Sequence, residues 1–252
     1  MSNARSRSTL AAGLGAAAPA GGVALGVVLL AFAVAAWQFV SNTLAQPGHI
    51  LPTPERVLEA LLEHWSTLAP AIIVTARATL IATLIGLAIA APVYVVFGAI
   101  AAAMPGFGRA LRFLALWIGG VAPLLIVSLV PMLVVWGGVG EATRIRAAAT
   151  GAALAFAAAT LGVLTTHGLA GIAPAVLRGL RHASLMALLL VVVCDMVAGR
   201  DGLGHMVMTA MAMLNTPLAM ALTLSIWAFG LLVAAILLVA EWATARAVER
   251  AA

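Results

Sequence analysis

The sequence predicts an all-α membrane protein of about six transmembrane helices with one short interfacial helix, and three observations carry that prediction. Hydrophobic residues make up 64% of the chain and charged residues 8%, against about 45–50% and about 25% in soluble domains, and mean hydropathy is +1.17. The apolar residues gather into runs near the ~20 that a helix needs to cross the hydrocarbon core. The arginines fall mostly between those runs, where they set topology.

The same features exclude other classes. The net charge of +5 comes from arginine alone, because the chain has no lysine. A nucleic-acid reader would place a basic face on a soluble domain, so the expected partner is the lipid bilayer and no nucleic acid. Cys194 is the single cysteine, which excludes an internal disulfide and argues against a metal cluster. His49, His64, His167, His182 and His205 fall in loops or at helix ends without a spacing such as H-E-x-x-H, and no G-x-x-x-x-G-K-[ST] phosphate loop is present. No metal, cofactor or catalytic residue is expected, and an intramembrane enzyme is the weakest of the functional classes.

Residues 1–20, with Arg5 and Arg7, read as a flexible cytoplasmic tail, and 21–243 as the membrane domain. A signal peptide competes for the start, since a basic segment precedes an apolar one. The run from Gly22 to Val40 is longer than a signal core of about 7–15 residues, so it reads as the first transmembrane helix, with Trp37 at its outer interface. An interfacial helix over about 54–66 follows. Thr53 is its N-cap, Pro54 its first helical residue and Glu55 sits at the positive end of the dipole. Val57, Leu58, Leu61, Leu62 and Trp65 form one stripe, opposite Glu55, Glu59 and Glu63.

The apolar run Ala71–Ala103 holds Arg77, which can snorkel to the outer surface, and Pro92, which is expected to kink it. PGFGRALR is expected as a loop carrying Arg109 and Arg112. A third helix over Phe113–Trp136 is interrupted by Gly119, Gly120, Pro123 and Pro131. The fourth, Ala147–Thr166, is built almost wholly of small residues and lets neighbours approach closely. The fifth spans Ala183–Ala198 and the sixth Pro217–Ala240, before a cytoplasmic tail over 244–252 with Arg246 and Arg250. Six crossings put both termini on one side. That side then receives eight arginines (5, 7, 109, 112, 178, 181, 246, 250) and the other five (56, 77, 144, 146, 200), so both termini are expected in the cytoplasm.

Several charged or special residues invite a role. Asp195 is ionisable at membrane depth, a functional position by default, or else it pairs with Arg200 or Arg77 or caps a neighbouring backbone. Glu141, Arg144 and Arg146 form a short charged loop, either a solvated outer turn or a contact for an outer partner. Gly199, Gly202 and Gly204 permit an irregular backbone between the fifth and sixth helices, tolerated at depth only when buried in protein or lining a wet cavity. Met206, Met208, Met211 and Met213 read as adaptable packing.

The segment PMLVVWGGVGEATRI, Pro131 to Ile145, resembles the permeases of nitrate-, taurine- and sulfonate-class ABC importers, in which P-x-x-x-x-W-F-G-x-G-E-x-S-K-I recurs. Pro131, Trp136, Gly138, Gly140, Glu141 and Ile145 match; Gly137, Thr143 and Arg144 replace the usual Phe, Ser and Lys. LPTPERVLEAL from Leu51, APAVLRGLR ending at Arg181 and CDMVAGRDGLGHMV from Cys194 are similar to further permease segments in the same order, the last with Asp195 where Glu is usual. The resemblance covers about residues 50–215. It implies a multi-pass subunit of the bacterial inner membrane, an ATP-binding cassette ATPase as partner, a substrate-binding protein outside, and a translocation pathway to which Asp195, Arg77, Pro131 and Trp136 are assigned. Outer contact falls to Glu141, Arg144 and Arg146.

One departure is as informative as the matches. Such permeases carry a Glu-Ala-Ala motif, a glycine and a short ATPase-docking helix between the fourth and fifth helices. Here THGLAGIAPAVLRGLR has no Glu and no room for that helix, which needs about 11 residues for three turns. Two readings follow: a permease subunit of an importer, heteromeric by expectation, with Arg178, Arg181 and His182 as the remaining cytoplasmic contact, which either uses a reduced coupling surface or relies on a second permease that retains the docking loop; or a permease-derived structural or assembly subunit of a larger, unrelated membrane complex that no longer transports.

Overall fold

A computed structural model describes residues 25–26, 28–43, 51–167 and 172–251, whose regular secondary structure is all helical, with no strand among them. The helices are α1 (Val28–Thr43), α2 (Pro54–Glu63), α3 (Trp65–Ala103), α4 (Pro105–Gly137), α5 (Glu141–His167), α6 (Ile172–Ala198), α7 (Gly202–Ala212) and α8 (Thr216–Ala251). The expected N-terminal tail with Arg5 and Arg7, the start of the first helix at Gly22, and His49 lie outside the described residues.

Among the described residues three helices are long and apolar enough to cross a membrane: α3 over Trp65–Phe97, α6 over Ala175–Ala198 and α8 over Thr216–Thr244. A fourth is added if the two parts of α4, Phe113–Val121 and Pro123–Gly137, inclined at 47°, form one span. The bend falls at Pro123, which lacks an amide donor and crowds the preceding turn.

Several helices are longer than the expected ones. PGFGRALR is not a loop: Pro105 occupies the first position of α4, where a missing N–H costs nothing. Glu141, Arg144 and Arg146 are not a loop either, but the first turns of α5, with Glu141 at the positive end of the dipole. α6 starts at Ile172 rather than 183, so Arg178, Arg181 and His182 lie on a helix. The interfacial helix ends at Glu63, and His64 alone separates it from α3, in which Pro70 and Pro92 are both contained. The expected C-terminal tail continues α8.

The chain divides into two compact units, residues 1–59 and 60–252. In the first, Trp37 Nε1–H donates to the Pro52 carbonyl at 3.1 Å, and the Arg56 amide reaches the Thr53 hydroxyl at 3.5 Å, the outer limit of a capping bond.

In the second, α5 packs against α3, α4 and α6. Its Ala147, Ala148, Ala149 and Ala152 are buried, and the small side chains bring backbones close, as the composition of this helix predicts. A Cβ on Gly86 of α3 would stand 2.6 Å from Ala152 Cβ and 2.8 Å from the Ala149 carbonyl. Tyr94 and Phe156 meet edge to face with centroids 6.0 Å apart. A separate apolar cluster joins α3, α7 and α8 through Leu68, Leu203, Val207, Ala210 and Leu222. Met206 packs on it, whereas Met208, Met211 and Met213 are exposed and do not pack as expected.

Candidate functional site

The turn joining α4 to α5 starts the site. Gly138 (φ +78°) and Gly140 (φ +147°) take backbone conformations that side chains resist. The turn is tied by the Thr143 hydroxyl, which donates to the Gly137 carbonyl at 2.8 Å. One turn into α5, Arg144 points inward with a side chain only 6% exposed.

Its partners come from the end of α6 and the start of α7. Arg144 Nη1 donates to Asp195 Oδ1 at 2.7 Å and to Asp201 Oδ1 at 2.9 Å. Asp195 closes α6 and is 1% exposed; Asp201 precedes α7 and is 59% exposed. Asp201 occupies the N-cap position of α7 but makes no capping bond there; its carboxylate goes to Arg144 instead. Arginine stays protonated in proteins, and here the carboxylates of Asp195 and Asp201 both hold it. The guanidinium is therefore a fixed charge.

The break between α6 and α7 is shaped around this pair. Gly202 has φ +86°, and a Cβ there would collide with Asp195 Oδ2 and stand 3.1 Å from Thr75 Oγ1. Thr75, fully buried on α3, accepts the Leu203 amide at 2.9 Å, anchoring the start of α7. Two atoms of the centre, Arg144 Nε and Asp195 Oδ2, are buried without a hydrogen-bond partner. A cavity of about 250 Å³ adjoins it, lined by Glu141, Thr143, Arg144, Asp195, Arg200 and Asp201 among others. On the rim, Arg77 pairs with Glu141 at 2.7 Å, both half-exposed.

A second ionic cluster sits toward the opposite end of α6. Glu241 of α8 accepts from Arg178 Nε at 2.8 Å and from Arg181 at 3.2 Å, while His182 Nδ1 lies 2.8 Å from the Arg178 carbonyl. From Arg181, the inner arginine of this cluster, to Asp195 is about 21 Å along the helix axis, within the ~30 Å hydrocarbon thickness. The two clusters thus bracket a charge-free stretch of α6 suited to a bilayer core.

Of the sequence-predicted residues, Asp195 and Arg144 meet in one buried centre. Asp195 pairs with Arg144 and not with Arg200 or Arg77, and Arg144 is buried and not on an exposed outer loop. Arg77 is bound to Glu141 at the rim. Pro131 and Trp136 are exposed on α4; Trp136 and Arg146 line a separate cavity of about 340 Å³. Sequence reasoning missed Asp201, Thr75 and Glu241. Asp201 was detectable as an acidic residue at the head of a glycine-rich helix start, and Glu241 as a lone carboxylate closing an apolar run. Thr75 carries no signal, because a threonine inside an apolar helix is ordinary. Among the described residues no group of three or more His, Cys, Asp or Glu is placed to hold a metal ion. No known protein family, curated protein or solved structure matches this chain.

Proposed function

We propose that the chain is a permease-like membrane subunit of an ABC-type importer, contributing half of a translocation pathway to a heteromeric assembly in the bacterial inner membrane, with both termini cytoplasmic and ATP hydrolysis on a separate subunit. The observation that carries the reading is the Arg144–Asp195–Asp201 centre. Ionisable groups buried beside a break between two helices, with irregular backbone lining a cavity, are the arrangement by which membrane transporters build solute and ion sites. The permease-like motifs at Pro131–Ile145 and Cys194–Val207 converge on that centre, since Arg144 lies in one and Asp195 and Asp201 in the other.

In this reading six crossings are completed by α1, the bent α4 and α5 beside the three apolar spans. Transport proceeds by alternating access, with ATP binding on the partner favouring one of two arrangements of the bundle. Arg77, Arg144 and Arg200 balance Glu141, Asp195 and Asp201 around the cavity, so the assignment to small anions or organosulfur solutes comes from the motif resemblance alone.

One observation favours a second reading, a structural subunit derived from a permease. Only residues 168–171 separate α5, ending at His167, from α6, beginning at Ile172, which leaves no docking helix of about 11 residues. Affinity purification from native membranes in mild detergent, with mass spectrometry of the co-purifying chains, separates the two. Stoichiometric recovery of an ATPase subunit, with or without a second permease, is expected; recovery of an unrelated membrane complex without an ATPase establishes the scaffold reading instead.

A further inference from the structure

A cleft of about 710 Å³ lies between α4, α5 and α6, within the ~300–1,000 Å³ range of ligand sites. Apart from Arg178 and His182, its lining is apolar. Small residues hold it open: Gly119 and Gly120 on α4 face Ala155, Ala158 and Ala159 on α5, and a Cβ on Gly120 would meet nothing within 4 Å. Along α6 the lining extends from Arg178 to Leu189, about 16 Å, close to half the ~30 Å hydrocarbon thickness and so to the depth of one leaflet.

The polar residues of the cleft, Arg178 and His182, sit together at one end. Among the described side chains, that end carries more cations than carboxylates. Glu241 is the single carboxylate shared by Arg178 and Arg181, and Arg181 Nε remains buried without a partner. Glu241 engages the Nε of Arg178, whose side chain is still 46% exposed. Arg246, on the same end of α8, stacks over Trp242 at 3.5 Å, adding a further cation.

We infer that this cleft binds an anionic phospholipid, its acyl chain along α4, α5 and α6 and its phosphate on Arg178 and His182. An apolar groove one leaflet deep with a cationic end has the shape and charge of that ligand, and basic pockets between transmembrane helices recognise acidic head groups in this way. The inference needs the membrane placement of the chain but not the transport reading, so either can fail without the other.

The full chain, purified in mild detergent, is equilibrated with vesicles of equal phosphatidylglycerol and phosphatidylcholine, and the retained lipid is quantified by mass spectrometry. Severalfold enrichment of phosphatidylglycerol is expected. Arg178→Gln should lower it about fivefold, the effect of one basic residue near an acidic lipid surface. Gly120→Leu, which fills the cleft and leaves every charge in place, should also lower retention. Equal retention of the two lipids by the wild type overturns the inference. So does enrichment that survives Gly120→Leu, which marks general attraction to a basic surface, or displacement of the lipid by an equal concentration of inorganic phosphate, which marks an anion site without an acyl groove.

Discussion

Arg144 Nη1 lies 2.7 Å from Asp195 Oδ1, a buried ion pair that joins α5 to α6 across 51 positions of sequence. Removing one partner of such a pair strands a charge, at a cost of about 3–5 kcal/mol. Asp195→Asn leaves Arg144 with Asp201 as its remaining carboxylate, so it should lower the unfolding free energy by less than that, about 1–3 kcal/mol, measured in mild detergent. Asp201→Asn, at an exposed carboxylate, should cost about 1 kcal/mol or less. The double change Arg144→Met with Asp195→Leu should recover most of the stability, because apolar replacement removes both desolvation costs. If Asp195→Asn leaves stability unchanged, the pair does not hold the bundle. If the double variant is stable but inactive in solute uptake, the centre serves transport beyond its structural role.

Glycine is required at two positions for different reasons. Gly138→Ala meets only backbone strain, since φ is +78° and no atom lies within 4 Å of the new Cβ; the expected loss is about 1–2 kcal/mol. Gly202→Ala meets the same strain at φ +86° and also a collision with Asp195 Oδ2, so it should cost about 1–3 kcal/mol more. Equal losses for the two variants would show that Asp195 moves freely out of the way.

Thr75 accepts the Leu203 amide in a fully buried setting. Thr75→Val leaves that donor unsatisfied and should cost about 1–3 kcal/mol, while Thr75→Ser keeps the acceptor and stays near wild type. Hydrogen exchange at the Leu203 amide reads the effect directly: it should accelerate in the valine variant and not in the serine variant.

Glu241 holds α6 to α8 through Arg178 and Arg181. Reversing both arginines to glutamate should weaken recovery of a cytoplasmic partner and, by repelling Glu241, also lower stability. Adding Glu241→Arg restores opposite charges within the clamp. Partner recovery that returns with this third change reflects the clamp; recovery that stays low assigns the arginines themselves to the partner. Unchanged recovery in the double reversal removes the contact altogether.

Composition and run length determined the presence of helices apolar enough to cross a membrane, the helical architecture and the close-packed character of α5, because each depends on local quantities: how much apolar surface a segment carries and how small its side chains are. The irregular backbone between α6 and α7, at Gly199 and Gly202, was legible for the same reason, since backbone tolerance belongs to the residue itself. Helix ends were less legible. Glu141–Arg146 and Ile172–His182 contain charges that suit a loop, yet they extend helices whose remaining turns are fixed by packing.

Only the tertiary structure decided the partner of each charge. Arg77, Arg200 and Arg144 were all available to Asp195, and nothing in their spacing distinguishes them. The selection belongs to the packing of α5 on α6, which carries Arg144 inward beside Asp195, while Arg77 reaches Glu141 at the rim. Glu241 meets Arg178 and Arg181 for the same kind of reason, from 63 and 60 residues farther along the chain. Burial makes such pairings strong, and burial is a property of the assembled helices that no single one of them contains.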